Sequence, residues 1–296
     1  MRKYEDGIKI IITVTLLLYL HIATQYIFPS RLTTCKIVFT VIFNLFALLT
    51  EIYLLLCVSN RGHVDPFMAQ RISNPDAIRS RIYCRICEII KPERTHHCRR
   101  CRRCIKRMDH HCPWIATCVN SENHGHFVRF LLFGSLSAFI LSLRLFVHLF
   151  LMWTGVKEIP SRPMVALLIL TLALSLGIFV LLGIFFILQF KNIIRNVTLI
   201  ELEQCRDIKR MGMNCPPSPY DRGVMENLKE YLGSPYTLFL CGGGSSRIIY
   251  GDAESWPPFR IQRNSQNTKV VSDKNHVLIK DNEIINNRKH LAEEEV

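Results

Sequence analysis

Four stretches of the chain are apolar on every helical face: 10–28, 37–58, 127–153 and 164–190. A bilayer-spanning helix needs about 20 mostly apolar residues, and each stretch has roughly that number or more. A soluble helix of this length would carry a polar face, and these do not. The pattern predicts an α-helical integral membrane protein with four transmembrane helices. Arg2 and Lys3 ahead of the first stretch resemble a signal-peptide n-region. Glu5 and Asp6 interrupt it, and 21–25 is a poor small-residue cleavage site, so a retained helix is expected.

The polar segments divide the rest. Residues 59–126 hold 13 Lys+Arg and the tail from Lys191 holds 15, whereas the short loops hold only Arg31 and Lys36, and Lys157 and Arg162. By the positive-inside rule, 59–126, the tail and both termini face the cytosol. The expected organisation is 1–58 with helices 1 and 2, a cysteine-rich domain at 59–126, helices 3 and 4 in 127–190, a cytosolic segment at 191–241 and a mostly disordered tail at 242–296. Asn196-Val-Thr198 has the glycosylation pattern and would stay unmodified in the cytosol. Glu51, Arg144 and His148 lie inside apolar stretches. They read as packing or anchoring groups, and Glu51 and Arg144 lie at different depths. No internal repeat is evident.

Composition adds a constraint. The 296 residues carry 37 Lys+Arg against 24 Asp+Glu, a net charge of +13. Such a balance suggests an anionic partner: nucleic acid, a lipid surface or a phosphate-bearing ligand.

The chemistry concentrates between Cys84 and Cys118, where seven of the 12 cysteines fall. Cys84-x-x-Cys87 is followed by His97-Cys98, Cys101, Cys104, Asp109-His110-His111-Cys112 and Cys118. Cytosolic thiols stay reduced, so a disulfide framework fails, and paired Cys-x-x-Cys spacing reads as zinc. Two Cys3His sites use six cysteines and leave one over. Spacing alone does not say which is free. Cys112 lies outside the paired frames, and a free Cys beside a His and an Asp is the composition of an activated thiolate.

These residues resemble the DHHC-type protein S-acyltransferases (protein palmitoyltransferases). The likeness rests on the zinc-ligand spacing, Lys91-Pro92-x-Arg94, Asp109-His-His-Cys-Pro-Trp114, and Asn123 with Phe127. It extends to Asn196-Val-Thr198-Leu-Ile-Glu201 and to 219–233, which contains Asn227. The resemblance implies two structural zinc ions, one on Cys84, Cys87, His97 and Cys104, the other on Cys98, Cys101, His111 and Cys118. It implies Cys112 as nucleophile, His110 as general base and Asp109 as its orienting partner. The acyl donor would be a fatty acyl-CoA, palmitoyl-CoA in the first instance. The acceptors would be cytosol-facing proteins with membrane-proximal cysteines. An endomembrane location, ER or Golgi, is expected ahead of the plasma membrane.

Cations for the CoA phosphates would come from Lys91, Arg94, Arg102, Arg103, Lys106, Arg107 and Arg129. Trp114 would pack near the acyl-thioester junction. Gly134, Ser135, Ser137 and Ala138 could line an acyl cavity or let helices approach. Cys57, at the cytosolic end of helix 2, could itself be acylated, though an inert thiol is the expectation.

Four positions depart from the family pattern: Phe67, Thr117, Asn120 and Leu199. Asn120 replaces a glycine and tolerates a left-handed backbone. Thr117 and Leu199 remove polar groups that could support the site. Glu201 and Asn227 are expected to tie the C-terminal segment to the catalytic block.

Three other functions compete for the same features. A nucleic-acid module fits the charge but not the spans or the cysteine spacing, so no nucleic-acid partner is expected. A zinc hydrolase needs an open metal position, and eight ligands fill both sites. A catalytically weak zinc-dependent membrane scaffold remains the alternative.

Overall fold

The computed structural model describes residues 2–27, 34–65, 83–158, 160–212, 214–215, 217–233, 259–264 and 267–272. Expectations at Arg31, Phe67 and most of 242–296 lie outside these residues.

Helices α1 (Arg2–Ile27) and α2 (Thr34–Ser59) come first. Six short strands follow: β1 (Tyr83–Cys84), β2 (Ile89–Ile90), β3 (His96–Cys98), β4 (Arg103–Ile105), β5 (His110–Cys112) and β6 (Thr117–Val119). Then come α3 (His124–Trp153), α4 (Arg162–Ile194), α5 (Leu199–Arg210) and α6 (Val224–Leu232). A hairpin of β7 (Phe259–Asn264) and β8 (Asn267–Ser272) lies in the tail, within the stretch read as mostly disordered.

Among the described residues, three helices are long and apolar enough to cross a membrane: 37–59 within α2, together with α3 and α4. α1 carries Glu5, Asp6 and Lys9 in its first turns, and its apolar run begins only at Ile10. α3 is the central helix and packs along both α2 and α4. α4 shows the outward face most clearly. Leu170, Leu181 and Ile184 are more than half exposed, while Thr171, Ser175 and Gln189 are buried. In water this is inside out. In lipid it is the stable arrangement, because polar groups must find partners within the protein.

Those partners are present. Ser142 donates to Ser175 across α3 and α4 (2.8 Å), and Tyr19 of α1 meets Thr171 (2.9 Å). Arg144 donates to Thr40 of α2 (3.0 Å), and Glu51 pairs with His21 of α1 (3.2 Å). Gly134 is a close-approach point: an added Cβ would lie 2.8 Å from Leu182 and 3.3 Å from Thr50. This small residue therefore lets α2, α3 and α4 converge.

The strands form three antiparallel hairpins, β1–β2, β3–β4 and β5–β6. They share one frame. Cys84, Cys98 and Cys112 each open a four-residue turn, fourteen residues apart, and each turn ends in a left-handed residue: Glu88, Arg102 and Ala116, at φ 56°, 56° and 51°. The third turn position is Cys87, then Cys101, then Ile115. A repeat is thus present where none was expected. Strands of two or three residues are too short to show a periodicity, so it hides behind the metal ligands. The structure also joins Cys205 of α5 to Cys215 as a disulfide.

Candidate active site and metal centres

Side chains alternate along a strand, so neighbours in sequence point to opposite faces. In β3–β4, His97 lies opposite Cys104, and in β5–β6, His111 lies opposite Cys118. Each such pair meets the turn cysteines of the preceding hairpin. Cys84, Cys87, His97 and Cys104 converge, as do Cys98, Cys101, His111 and Cys118, with all four donor atoms of each set within 4.8 Å of one another.

Zinc distances of about 2.3 Å to sulfur and 2.0–2.1 Å to nitrogen require tetrahedral edges of roughly 3.6–3.8 Å. His111 Nδ1 lies 3.6, 3.4 and 3.6 Å from the sulfurs of Cys98, Cys101 and Cys118. His97 Nδ1 lies 3.5, 3.2 and 3.9 Å from those of Cys84, Cys87 and Cys104. Both donor sets could hold zinc, and four protein donors each leave no open position. Each set joins the turn of one hairpin to the strands of the next, so two metals would staple three hairpins.

Asp6, at the start of α1, accepts from His111 Nε2 (3.0 Å) and pairs with Arg100. A carboxylate on the far nitrogen fixes a metal-binding histidine's tautomer and ring orientation. Sequence reasoning met Asp6 only as an oddity ahead of an apolar run. A contact spanning 105 residues leaves no local mark.

The same alternation explains the second face of β5. His111 turns toward the donor cluster, while His110 and Cys112, two apart, share the opposite face. His110 Nδ1 bonds Asp109 Oδ2 at 2.7 Å, leaving Nε2 for Cys112. Burial works against the imidazolium of His110, but hydrogen bonds to Asp109 and Cys112 outweigh it and push the pKa up to about 9. Burial likewise works against the Asp109 carboxylate. Its hydrogen bond from His110, the nearby histidines and the Leu199 N–H prevail and hold it at about 2. Asp109 is fully buried, so its charge is retained only because these donors surround it. The arrangement can take a proton from the thiol and keep it nearby.

Asp109 Oδ1 accepts from the main-chain N–H of Leu199 at 2.8 Å, and Oδ2 from Gln189 Nε2 at 3.1 Å. The Leu199 departure therefore costs no hydrogen bond to the carboxylate, because the main chain supplies one whatever the side chain. Thr198 caps α5 and Glu201 completes a capping box, which brings that N–H to Asp109.

Glu201 has a second task. It receives Arg94 through Nε at 2.5 Å and NH2 at 2.7 Å. Arg94 also donates to the side chain and carbonyl of Asn196 and lies over the Tyr220 ring. Arg107 pairs with Glu230 of α6 and lies over Tyr231. Asn227 reaches the Ile194 carbonyl and Asp221 instead, so it ties α6 to the end of α4 rather than to the cysteine-rich block. Glu230 fills the role expected of Asn227. Asn196 is fully buried and held by Arg94, Tyr231 and Glu230, so the sequon is inaccessible in the folded chain.

These contacts revise the expected phosphate cations. Arg94, Arg107 and Arg129 are at most 8% exposed. Arg129 donates to the Leu232 carbonyl, and Lys106 pairs with Glu122. Four of the seven named cations thus have protein partners. A basic run in sequence looks the same whether its charges face water or buried carboxylates. Lys91 is half-buried, and Arg102 and Arg103 are exposed. Trp114 is half exposed at the tip of β5–β6, and its carbonyl accepts from Thr13 of α1 (3.3 Å).

Asn120 is not left-handed. Its amide holds the Asn60 and Cys118 carbonyls and accepts from the Glu122 N–H, beside the left-handed Gly62. A Cβ on Gly62 would collide with it, so the two residues fit as a pair. Asn123 binds the carbonyls of Cys57, Asn60 and Cys118, and knots the end of α2 to the block. Cys57 is fully buried in the same apolar cluster as Cys112.

The fold and site define a helical membrane protein with a cysteine-rich block of two Cys3His clusters. Residues 78–206 match the family model described as DHHC palmitoyltransferase. Palmitoyltransferase PFA4 of Yarrowia lipolytica is 29% identical over 229 residues, covering 70% of this chain and 67% of the relative. Palmitoyltransferase ZDHHC15 of Homo sapiens is 30% identical over 191 residues, covering 64% of this chain and 54% of the relative. Probable protein S-acyltransferase 14 of Arabidopsis thaliana is 28% identical over 190 residues, with 62% and 59% covered. The chain spans about half to two thirds of the length of these relatives. Residues 78–206 are thus similar to the DHHC palmitoyltransferases.

Proposed function

We propose that the chain is a protein-cysteine S-acyltransferase that moves a long-chain acyl group, palmitoyl in the first instance, from acyl-CoA to protein cysteines through a thioester on Cys112. The observation that carries this reading is the shared face of β5. Cys112 and His110 stand together there, His110 is held by a buried Asp109, and the eight metal-type donors are gathered elsewhere.

His110 Nε2 takes the Cys112 thiol proton, and the thiolate attacks the acyl-CoA carbonyl carbon. The bond from that carbon to the CoA sulfur breaks, and CoA leaves as a thiol with the proton from His110. A substrate cysteine then gives its proton to His110 and attacks the Cys112 thioester. Cys112 leaves as the thiolate. Asp109 orients His110 and stabilises its charged form in both halves. The clusters at Cys84, Cys87, His97, Cys104 and at Cys98, Cys101, His111, Cys118 would hold structural zinc, which fixes β5 without entering the reaction.

The topology proposed is four spans with α1 as the first, the block between the second and third, and both termini cytosolic. The domain boundaries are those read from the sequence, and the location is ER or Golgi. On the cytosolic side of the membrane, where this topology places them, Cys205 and Cys215 would be kept as thiols, and nothing in the site depends on their bond. A nucleophile at the cytosolic membrane face suits a donor with a lipid-seeking tail and a polyanionic head. Lys91, Arg102 and Arg103 remain as cations for that head. The acceptors are cytosol-facing proteins whose cysteines lie near the bilayer.

The test is labelling of purified protein in detergent micelles with clickable palmitoyl-CoA, with zinc counted. Hydroxylamine-sensitive label with two zincs per chain is expected. His110→Gln should lower the labelling rate about 10²- to 10⁴-fold with both zincs retained. No wild-type label with two zincs present would favour the scaffold.

A further inference from the structure

The buried carboxylate of Asp109 has a donor from an unexpected place. Gln189 lies near the cytosolic end of α4, and between Ser175 and Lys191 it is the one polar side chain. It is 5% exposed. A buried amide on a membrane helix is costly unless it is hydrogen-bonded. Gln189 makes two such bonds: Nε2 to Asp109 Oδ2 at 3.1 Å, and Oε1 to His124 Nε2 at 2.9 Å.

The direction of both bonds follows from chemistry. An ionised carboxylate only accepts, so the amide must present its NH2 to Asp109. Its carbonyl then faces His124, whose Nε2 must carry a proton. His124 is fully buried, and its Nδ1 has no partner among the described residues. A neutral ring protonated at Nε2 leaves only an unmet acceptor there, which costs less than an unmet donor. The donors therefore run one way, from His124 to Gln189 to Asp109, and His110 closes on the same Oδ2. The His124 ring meets the Tyr231 ring of α6 edge to face, which fixes the far end of the chain.

We propose that Gln189, backed by His124, is a positioning residue for acyl transfer: it holds the Asp109 carboxylate in the orientation that His110 needs. The proposal rests on the acyl-transfer reading of Cys112. An uncharged donor suits the task. It fixes the carboxylate without a second cation competing with His110 for its charge. It also ties the catalytic hairpin directly to a membrane helix.

The test uses the full chain in micelles and single-turnover labelling over a series of palmitoyl-CoA concentrations. Gln189→Met keeps the length and removes the donor. Gln189→Leu removes the donor and the acceptor together and suits the apolar surroundings of the helix. Each should lower the saturating rate about 10- to 100-fold, with the half-saturating concentration unchanged and two zincs present. In an Asp109→Asn background, Gln189→Met should cost less than about threefold, because the two act as one unit.

An unchanged saturating rate, a change confined to the half-saturating concentration, or full multiplication of the two losses would overturn the proposal. Wild type that labels at Cys112 alongside variants that label as fast removes this inference alone. Wild type that never labels removes the acyl-transfer reading with it.

Discussion

Replacing Cys112 with Ser leaves two zincs in the protein and reduces hydroxylamine-sensitive label to background, at least about 10³-fold below wild type. The change exchanges one atom on the face of β5 that the metal clusters do not use. Cys112 is buried against Ile115, Val119, Phe127 and Phe130, and a hydroxyl occupies that space without displacing them. The fold therefore survives while the nucleophile does not. Ser at this position lacks the nucleophilicity of a thiolate, and a histidine arranged for a thiol does not compensate. Equal label on both proteins would move the acceptor elsewhere. Cys57 is the nearest alternative, since it shares the apolar cluster.

Replacing Cys101 with Ser gives the opposite pattern: zinc falls from two to one per chain, and label is lost although Cys112 is intact. Cys101 belongs to the cluster that joins the turn of β3–β4 to His111 and Cys118 of β5–β6. Structural zinc contributes on the order of 10 kcal/mol to the folding of small zinc domains. The apolar core beneath β5–β6 is too small to replace such a contribution. Without the metal, β5 loses its register against β6, and His110 and Cys112 lose their common face. Two zincs retained in the variant, or full label with one zinc, would show that the hairpin does not depend on this centre. The contrast between the two variants matters more than either alone, since metal loss inactivates only through the fold.

Much of this site was legible in the sequence, for identifiable reasons. Recurring Cys-x-x-Cys spacing marked the block as metal-binding, and the resemblance to the DHHC acyltransferases divided the donors into the two sets that the structure gathers. The two histidines of 109–112 separate because a strand has period two: His111 goes to the cluster, and His110 goes to Cys112. The supports were not legible. Asp6 reaches His111 across the whole of α1 and α2. Gln189 is uncharged, and a search for charges within apolar helices passes over it. Leu199 looked like a loss because only its side chain was weighed, whereas its N–H makes the bond. Arg94 was read as a phosphate contact, and it instead holds α5 through Glu201. Such contacts join segments a hundred residues apart and leave no periodic trace.

The spans show the same division. α2, α3 and α4 announce themselves by length and hydropathy. Their packing depends on particular small and polar residues, Gly134 among them, whose partners composition does not reveal.

The most direct measurement is a chase of the isolated acyl-enzyme. Wild-type protein is labelled with clickable palmitoyl-CoA, freed of the donor, and mixed with a micelle-anchored peptide bearing a single cysteine. The account predicts that label leaves Cys112 as it enters the peptide, in equal amount and with no acyl-CoA present. Label that stays on the enzyme, with peptide acylated only when acyl-CoA is added back, would contradict transfer through a Cys112 thioester.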